Sequence, residues 1–86
     1  MISPSTPSEE YGELQSLVDY LYRDNPRARV RRVDVLVDAE AWDLSDDLRE
    51  VVRLLPAGTY GRQRLCDQLN SIITAHGWAY LYGTVE

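Results

Sequence analysis

Apolar residues recur every three or four positions between residues 11 and 22, a spacing that places them on one face of an α-helix. The preceding segment, Thr-Pro-Ser-Glu at residues 6–9, is typical of a helix start, with a capping threonine, a proline in the first turn and a glutamate that completes a capping box. Pro26 predicts the helix end, because the residue before a proline is pushed out of the helical region. The positions on the predicted apolar face are Tyr11, Leu14, Leu17, Val18, Leu21 and Tyr22.

Two later segments alternate between apolar and other residues and predict β-strands. In residues 29–38 the β-branched Val33, Val35 and Val37 alternate with Asp34, Leu36 and Asp38. In residues 78–85 the rings of Trp78, Tyr80 and Tyr82 would share one face of a strand.

Two further helices are predicted between these strands. In the first, Ser45 is the expected cap, two aspartates follow in the first turn, and Pro56 closes the helix. In the second, around residues 60–76, Thr59 is the expected cap and Gly77 fits the left-handed terminating position. The residues expected to face the core are Leu48, Val51, Val52 and Leu55 in the first and Leu65, Leu69, Ile72 and Ile73 in the second.

The predicted order is helix, strand, helix, helix, strand, which defines a small α+β fold. Eighty-six residues are too few for several domains, so residues 7–86 are assigned to a single domain after a loose lead over residues 1–6. A two-stranded sheet is marginal alone, and open strand edges invite pairing. We therefore expect a homodimer in which the sheet is extended by a second copy.

Charge and cysteine content narrow the class of protein. The formal net charge is −5, and all nine basic residues are arginine. An acidic chain is a poor general binder of nucleic acid, since nonspecific affinity comes from cations that neutralise phosphates. The start lacks the basic and apolar regions of a signal peptide, no apolar run is long enough to cross a bilayer, and Cys66 is the only cysteine. A cytoplasmic location without membrane association is expected.

The sequence contains no pattern that supports catalysis, a metal or a cofactor. The acidic residues 38–50 fail the calcium-loop spacing, because Asp43 stands where that loop needs glycine and Arg49 where it needs glutamate. Cys66 and His76 are ten residues apart on one predicted helix, roughly 15 Å along its axis, which is too far for a nucleophile–base pair. We therefore expect a protein that is not an enzyme and that holds no metal.

Two surfaces remain as candidate binding sites. The rings of Trp78, Tyr80 and Tyr82 are the first, because aromatic residues are enriched at protein interfaces. On that basis we expect a non-catalytic protein–protein interaction module, acting as an adaptor, regulator or inhibitor, that binds itself and another protein.

The alternative function is a small helix-turn-helix regulator that binds DNA through the helix around residues 60–76. Arg62 and Arg64 lie in its first turns, and Gln68 contributes to a polar face able to hydrogen-bond. A helix N-terminus with arginines suits an anion such as phosphate. The same arginines could instead pair with acidic residues of the preceding predicted helix, the one that Ser45 caps, or of another subunit.

Overall fold

The computed structural model describes residues 10–86, and the predicted α+β class is confirmed. The expected lead and the capping segment at residues 6–9 lie outside the described residues. In chain order the elements are α1 (Glu13–Leu21), β1 (Val30–Arg31), α2 (Arg32–Ala41), α3 (Asp46–Arg53), β2 (Thr59–Tyr60), α4 (Arg62–Ala75) and α5 (Ala79–Tyr82).

Helices α1, α3 and α4 supply most of the hydrophobic core, with the apolar spacing that the sequence predicts. Tyr11 departs from its predicted face and is exposed, and Ile72 is only partly buried. Each fully buried leucine or valine contributes about 1.5–3 kcal/mol relative to an exposed one, so these stripes dominate the stability of the fold. The buried residues of the three helices are Leu14, Leu17, Val18, Leu48, Val51, Val52, Leu65, Cys66, Leu69 and Ile73.

The predicted signals at two helix ends are confirmed. The Ser45 hydroxyl accepts a hydrogen bond from a backbone N–H in the first turn of α3. Gly77 adopts the left-handed conformation after α4, with φ at 71°. The N–H of Gly77 donates to the carbonyl of Thr74 at 3.0 Å, and the N–H of Trp78 donates to that of Ile73 at 2.9 Å. This paired arrangement satisfies carbonyls that the helix end would otherwise leave unbonded.

The strand predicted over residues 29–38 is wrong beyond its first residues. Only Val30–Arg31 is strand, and Arg32–Ala41 is the helix α2. In a strand, Val33, Val35 and Val37 would share one face, but here Val35 is buried while the other two are exposed. The helix start is favoured by the Asp34 carboxylate, which accepts the backbone N–H of Arg31 at 3.1 Å. Burial against α1 and α3 outweighs the weak preference of valine for strands.

The strand predicted over residues 78–85 is also wrong. Residues Ala79–Tyr82 form the single helical turn α5, and Gly83 ends it with a φ of 83°. A Cβ built on Gly83 would lie 3.1 Å from the Tyr11 ring, so a larger residue would be strained and crowded there. The chain therefore turns back over the core after α4 instead of continuing as a sheet edge.

The sheet joins two short segments that precede helices. Strands β1 and β2 are antiparallel, with Val30 opposite Tyr60 and Arg31 opposite Thr59. The buried Tyr22 hydroxyl donates to the carbonyl of Tyr60 at 2.8 Å and fixes the sheet to the end of α1. The prediction that Thr59 caps the following helix is wrong. Thr59 belongs to β2, and the N-cap residue of α4 is Gly61.

Two side-chain amides hold the segment after α5. The Asn70 amide donates to the carbonyl of Val85 at 2.8 Å and accepts its N–H at 2.7 Å. The Gln15 amide makes the same pair of bonds to Glu86, both at 2.9 Å. A side-chain amide offers the donor and acceptor of a peptide group, so each one acts as a neighbouring strand would. We call the side chains of Asn70 and Gln15 the two amide clamps; they join α4 and α1 through residues 85 and 86, which lie between these helices.

Candidate anion-binding groove

The three aromatic residues predicted to bind a partner do not form one surface. Tyr82 is buried, Trp78 is partly buried, and Tyr80 is half exposed. The Trp78 and Tyr82 rings pack edge to face with centroids 6.0 Å apart, and the Tyr82 hydroxyl donates to an Asp47 carboxylate oxygen at 2.5 Å. The helical turn of α5 sends alternate side chains in different directions, which leaves Tyr80 as the exposed ring of the three.

Tyr82 makes the stability of the fold sensitive to alkaline pH. Its hydrogen bond to Asp47, together with burial, raises the pKa of Tyr82 from 10.0 to about 12. The neutral phenol is thus favoured in the folded chain, and its contribution is complete below pH 10 and lost as the pH rises toward 12. We expect the unfolding free energy to fall more steeply above pH 10 in the wild type than in Tyr82→Phe, measured by urea denaturation. Parallel pH profiles for the two proteins would contradict this.

The two arginines of the alternative site line a groove together with two arginines from elsewhere in the chain. Arg62 and Arg64 lie at the start of α4, and Arg27 and Arg29 face them from the segment between α1 and β1. We call this the arginine groove, and its volume is about 780 Å³. Gln68, the third residue of the alternative site, is half-buried on α4 and does not line it. The remaining lining residues are Pro26, Ala28, Thr59, Gly61, Gln63 and Glu86.

A tight turn positions the arginines that come from outside α4. The carbonyl of Asn25 accepts the N–H of Ala28 at 3.0 Å, and the Asn25 side chain accepts the N–H of Arg27 at 2.9 Å. Pro26 fits the second position of such a turn because its ring fixes the backbone there. The turn therefore sets the direction in which the chain carries Arg27 and Arg29 past α4.

Arg62 is occupied by contacts within the chain. Its guanidinium donates to an Asp19 carboxylate oxygen at 2.5 Å and to the carbonyl of Glu86 at 2.8 Å. The bond from Arg62, followed by one from Gln15, lowers the pKa of Asp19 below its usual value. This arginine joins the start of α4 to α1. The sequence had suggested acidic residues of the preceding helix or of another subunit as its partner, and the acid that it contacts lies on α1 instead.

The other three arginines of the groove are exposed and carry no partner. Within residues 10–86, the guanidinium groups of Arg27, Arg29 and Arg64 make no hydrogen bond or ion pair. Every arginine outside the groove has a partner within the chain. Four of them form ion pairs and one donates to backbone carbonyls: Arg23 with Asp24, Arg31 with Asp34, Arg49 with Asp43, Arg53 with Glu40, and Arg32 with the carbonyls of Arg53 and Leu55. The unpaired cations of the described chain are therefore gathered at one groove, in a protein whose net charge is −5.

We also examined residues 10–86 for a metal site, a reactive cysteine and a membrane-spanning helix. Residues 10–86 contain no group of three or more histidine, cysteine or acidic side chains placed to hold a metal ion. Cys66 is buried, and this burial raises the pKa of its thiol, so the reactive thiolate is disfavoured. In the same part of the chain, no helix is long and apolar enough to cross a bilayer.

Comparison with known proteins adds no family to this description. The chain matches no protein-family model, no curated protein and no solved structure. Among the surfaces of the described residues, the arginine groove is the one at which exposed, unpartnered arginines converge.

Proposed function

We propose that this domain is a non-catalytic protein–protein interaction module whose arginine groove binds an extended acidic segment of a partner protein. The observation that carries the proposal is the gathering of Arg27, Arg29 and Arg64 at one groove without partners of their own. Arginines that only keep a protein soluble would be spread over its surface, and arginines of internal ion pairs would have acidic partners. Neither description fits these three.

The chemistry of the groove favours carboxylates held in an extended chain. The guanidinium group presents a planar set of donors that matches a carboxylate in bidentate fashion. A volume of about 780 Å³ is enough for several residues of a peptide and lies within the usual range of ligand pockets. Thr59 of β2 lines the groove, and each strand of a two-stranded sheet has one unpaired edge. A bound segment could therefore add backbone hydrogen bonds to its charge pairs.

Three observations favour a peptide over DNA as the partner of the groove: the spacing of α3 and α4, an acidic residue beside the arginines, and the net charge of the chain. The helices α3 and α4 are separated by residues 54–61, which include β2, whereas a helix-turn-helix has a turn of about three or four residues. Asp67 lies on the exposed side of α4 beyond the arginines and accepts a hydrogen bond from Gln63 at 2.9 Å. The net charge of −5 would repel a long polyanion more than a short acidic segment.

Fluorescence polarisation with a labelled decaglutamate peptide tests the proposal. We expect binding that weakens as salt is added, and roughly three- to hundredfold weaker binding by the triple variant Arg27→Gln/Arg29→Gln/Arg64→Gln. Three exposed charge pairs at about 0.2–1 kcal/mol each sum to roughly 0.6–3 kcal/mol, and about 1.4 kcal/mol is a factor of ten in affinity.

The matched control is Arg23→Gln/Arg31→Gln/Arg53→Gln, which removes the same charge from arginines outside the groove. We expect this control to bind within about twofold of the wild type. Equal losses in the two triple variants would reduce the groove to a general charge effect and overturn the proposal. Tighter binding of a 20-base-pair duplex than of the peptide at physiological salt would replace it with the DNA-binding alternative.

A further inference from the structure

The lining of the arginine groove contains one acidic residue, Glu86. Glu86 is exposed, and within residues 10–86 its carboxylate makes no hydrogen bond or ion pair. The other charged residues of the lining are arginines, of which Arg27, Arg29 and Arg64 also have no partner in the same part of the chain. The groove therefore presents unpaired charges of both signs.

The backbone of Glu86 is fixed by contacts with two helices. The Gln15 clamp on α1 binds both its N–H and its carbonyl, each at 2.9 Å. Arg62 at the start of α4 donates to the same carbonyl at 2.8 Å. None of these bonds uses the Glu86 side chain. A substitution of that side chain can therefore change the charge of the groove wall while the contacts that position the wall stay in place.

The charge of Glu86 also reaches the start of α4. Burial raises the pKa of the Cys66 thiol, and the negative charge of Glu86 contributes to this rise. Cys66 stands one turn after Arg62 on α4, and the interaction between charges weakens with distance. The carboxylate thus lies close to the first turns of the helix that supplies Arg64 to the groove.

The charges that remain for a ligand are the three unpaired arginines and Glu86, because Arg62 is occupied by Asp19. An extended segment with acidic residues throughout would match the arginines, but one of its carboxylates would come close to Glu86. A lysine or arginine at that point would instead form a favourable pair with Glu86. The complete charge pattern of the groove is therefore complementary to a segment that contains both signs.

We propose that the arginine groove selects an acidic segment that also carries one basic residue, whose cation lies against the Glu86 carboxylate. The inference rests on the proposed function and adds to it the charge pattern of the partner segment. In this role Glu86 is a specificity-determining residue, because it disfavours a carboxylate and favours an ammonium or guanidinium group at one point of the groove. The neighbouring carboxylates of the segment lie against Arg27, Arg29 and Arg64.

Fluorescence polarisation with glutamate decapeptides that carry one lysine tests this charge pattern. The lysine replaces the first, a central or the last glutamate, and a peptide with glutamine at the same position is the reference, so both peptides have lost the same carboxylate. A groove that responds only to negative charge would bind each lysine peptide more weakly than its reference. We expect at least one lysine peptide to bind about two- to fivefold more tightly than its reference, the effect of one exposed ion pair.

Glu86→Gln is expected to abolish this advantage of the lysine peptide. The variant should bind decaglutamate no more weakly than the wild type does, since a repulsion has been removed. The matched control is Glu50→Gln, which removes the same charge from an exposed glutamate of α3 outside the groove and should keep the advantage.

The possible results separate this inference from the function on which it rests. If decaglutamate binds but no lysine peptide exceeds its reference, or if the advantage persists in Glu86→Gln, the role of Glu86 is overturned and the acidic-segment function stands. If none of the peptides binds the wild type, both are overturned.

Discussion

Leu69→Ala is expected to lower the free energy of unfolding by about 2–5 kcal/mol, because the substitution removes a side chain that is only 1% exposed and leaves a cavity in the core. Leu69 lies on the inner face of α4 between Leu65 and Ile73, both fully buried. A domain of this size has limited stability to lose, so much of the population should be unfolded at moderate temperature.

Urea denaturation followed by circular dichroism measures this loss. Ser71→Ala is the matched control, since Ser71 is exposed on the same helix and the new residue favours helix. We expect the control to change the unfolding free energy by less than about 0.5 kcal/mol. A Leu69→Ala protein as stable as the control would show that α4 does not pack on the core through this face.

Asn70→Ala is expected to cost about 1–3 kcal/mol, the second-largest effect among our predictions. It removes one of the two amide clamps, so the N–H and the carbonyl of Val85 both lose their partner. Val85 is 5% exposed and belongs to the core, which means that loosening this segment also uncovers apolar surface.

Hydrogen exchange distinguishes a local release from general destabilisation. We expect the amide of Val85 to exchange much faster in Asn70→Ala under conditions in which the amides of α4 keep their protection. Gln63→Ala is the control, because that amide is exposed on the same helix and bonds only Asp67 among the described residues. Equal acceleration at α4 and at Val85 would mean that the clamp has no local role.

The sequence predicted α1, α3 and α4 because their apolar spacing fits only a helix. The end signals were less reliable: Ser45 and Gly77 stand where they were expected, but α1 begins at Glu13 and α4 has no side-chain cap. The prediction failed at α2, where valine at alternate positions fits a strand while the pairs Val33–Val37 and Val35–Ala39 fit a helix equally well. Packing of Val35 and Ala39 against the core, beside α1 and α3, favours the helix over the strand. This packing depends on residues distant in the sequence, so the local pattern could not predict it. At α5 the alternating rings were misleading for the same reason, and Gly83 was the local sign of a turn.

Half of the candidate site could be predicted in the same way. Arg62 and Arg64 are noticeable in the sequence because they stand at a helix start, where the dipole disfavours cations. Arg27 and Arg29 join them only through the turn at Asn25 and the pairing of β1 with β2, which local patterns do not specify. The Pro-Arg-Ala-Arg run after a helix was a signal of basic character, but it did not indicate which element the arginines would face.

The amide clamps also determine when the fold can be completed during synthesis. Gln15 and Glu86 are separated by 71 positions, so α1 must wait for the far end of the described chain before this contact can form. Residues 85 and 86 leave the ribosome after α1 to α4, and Arg62 gains its contact with the Glu86 carbonyl only then. Contacts of such long range close late and slow folding. The wall of the arginine groove that contains Glu86 is thus completed after the wall that α4 supplies.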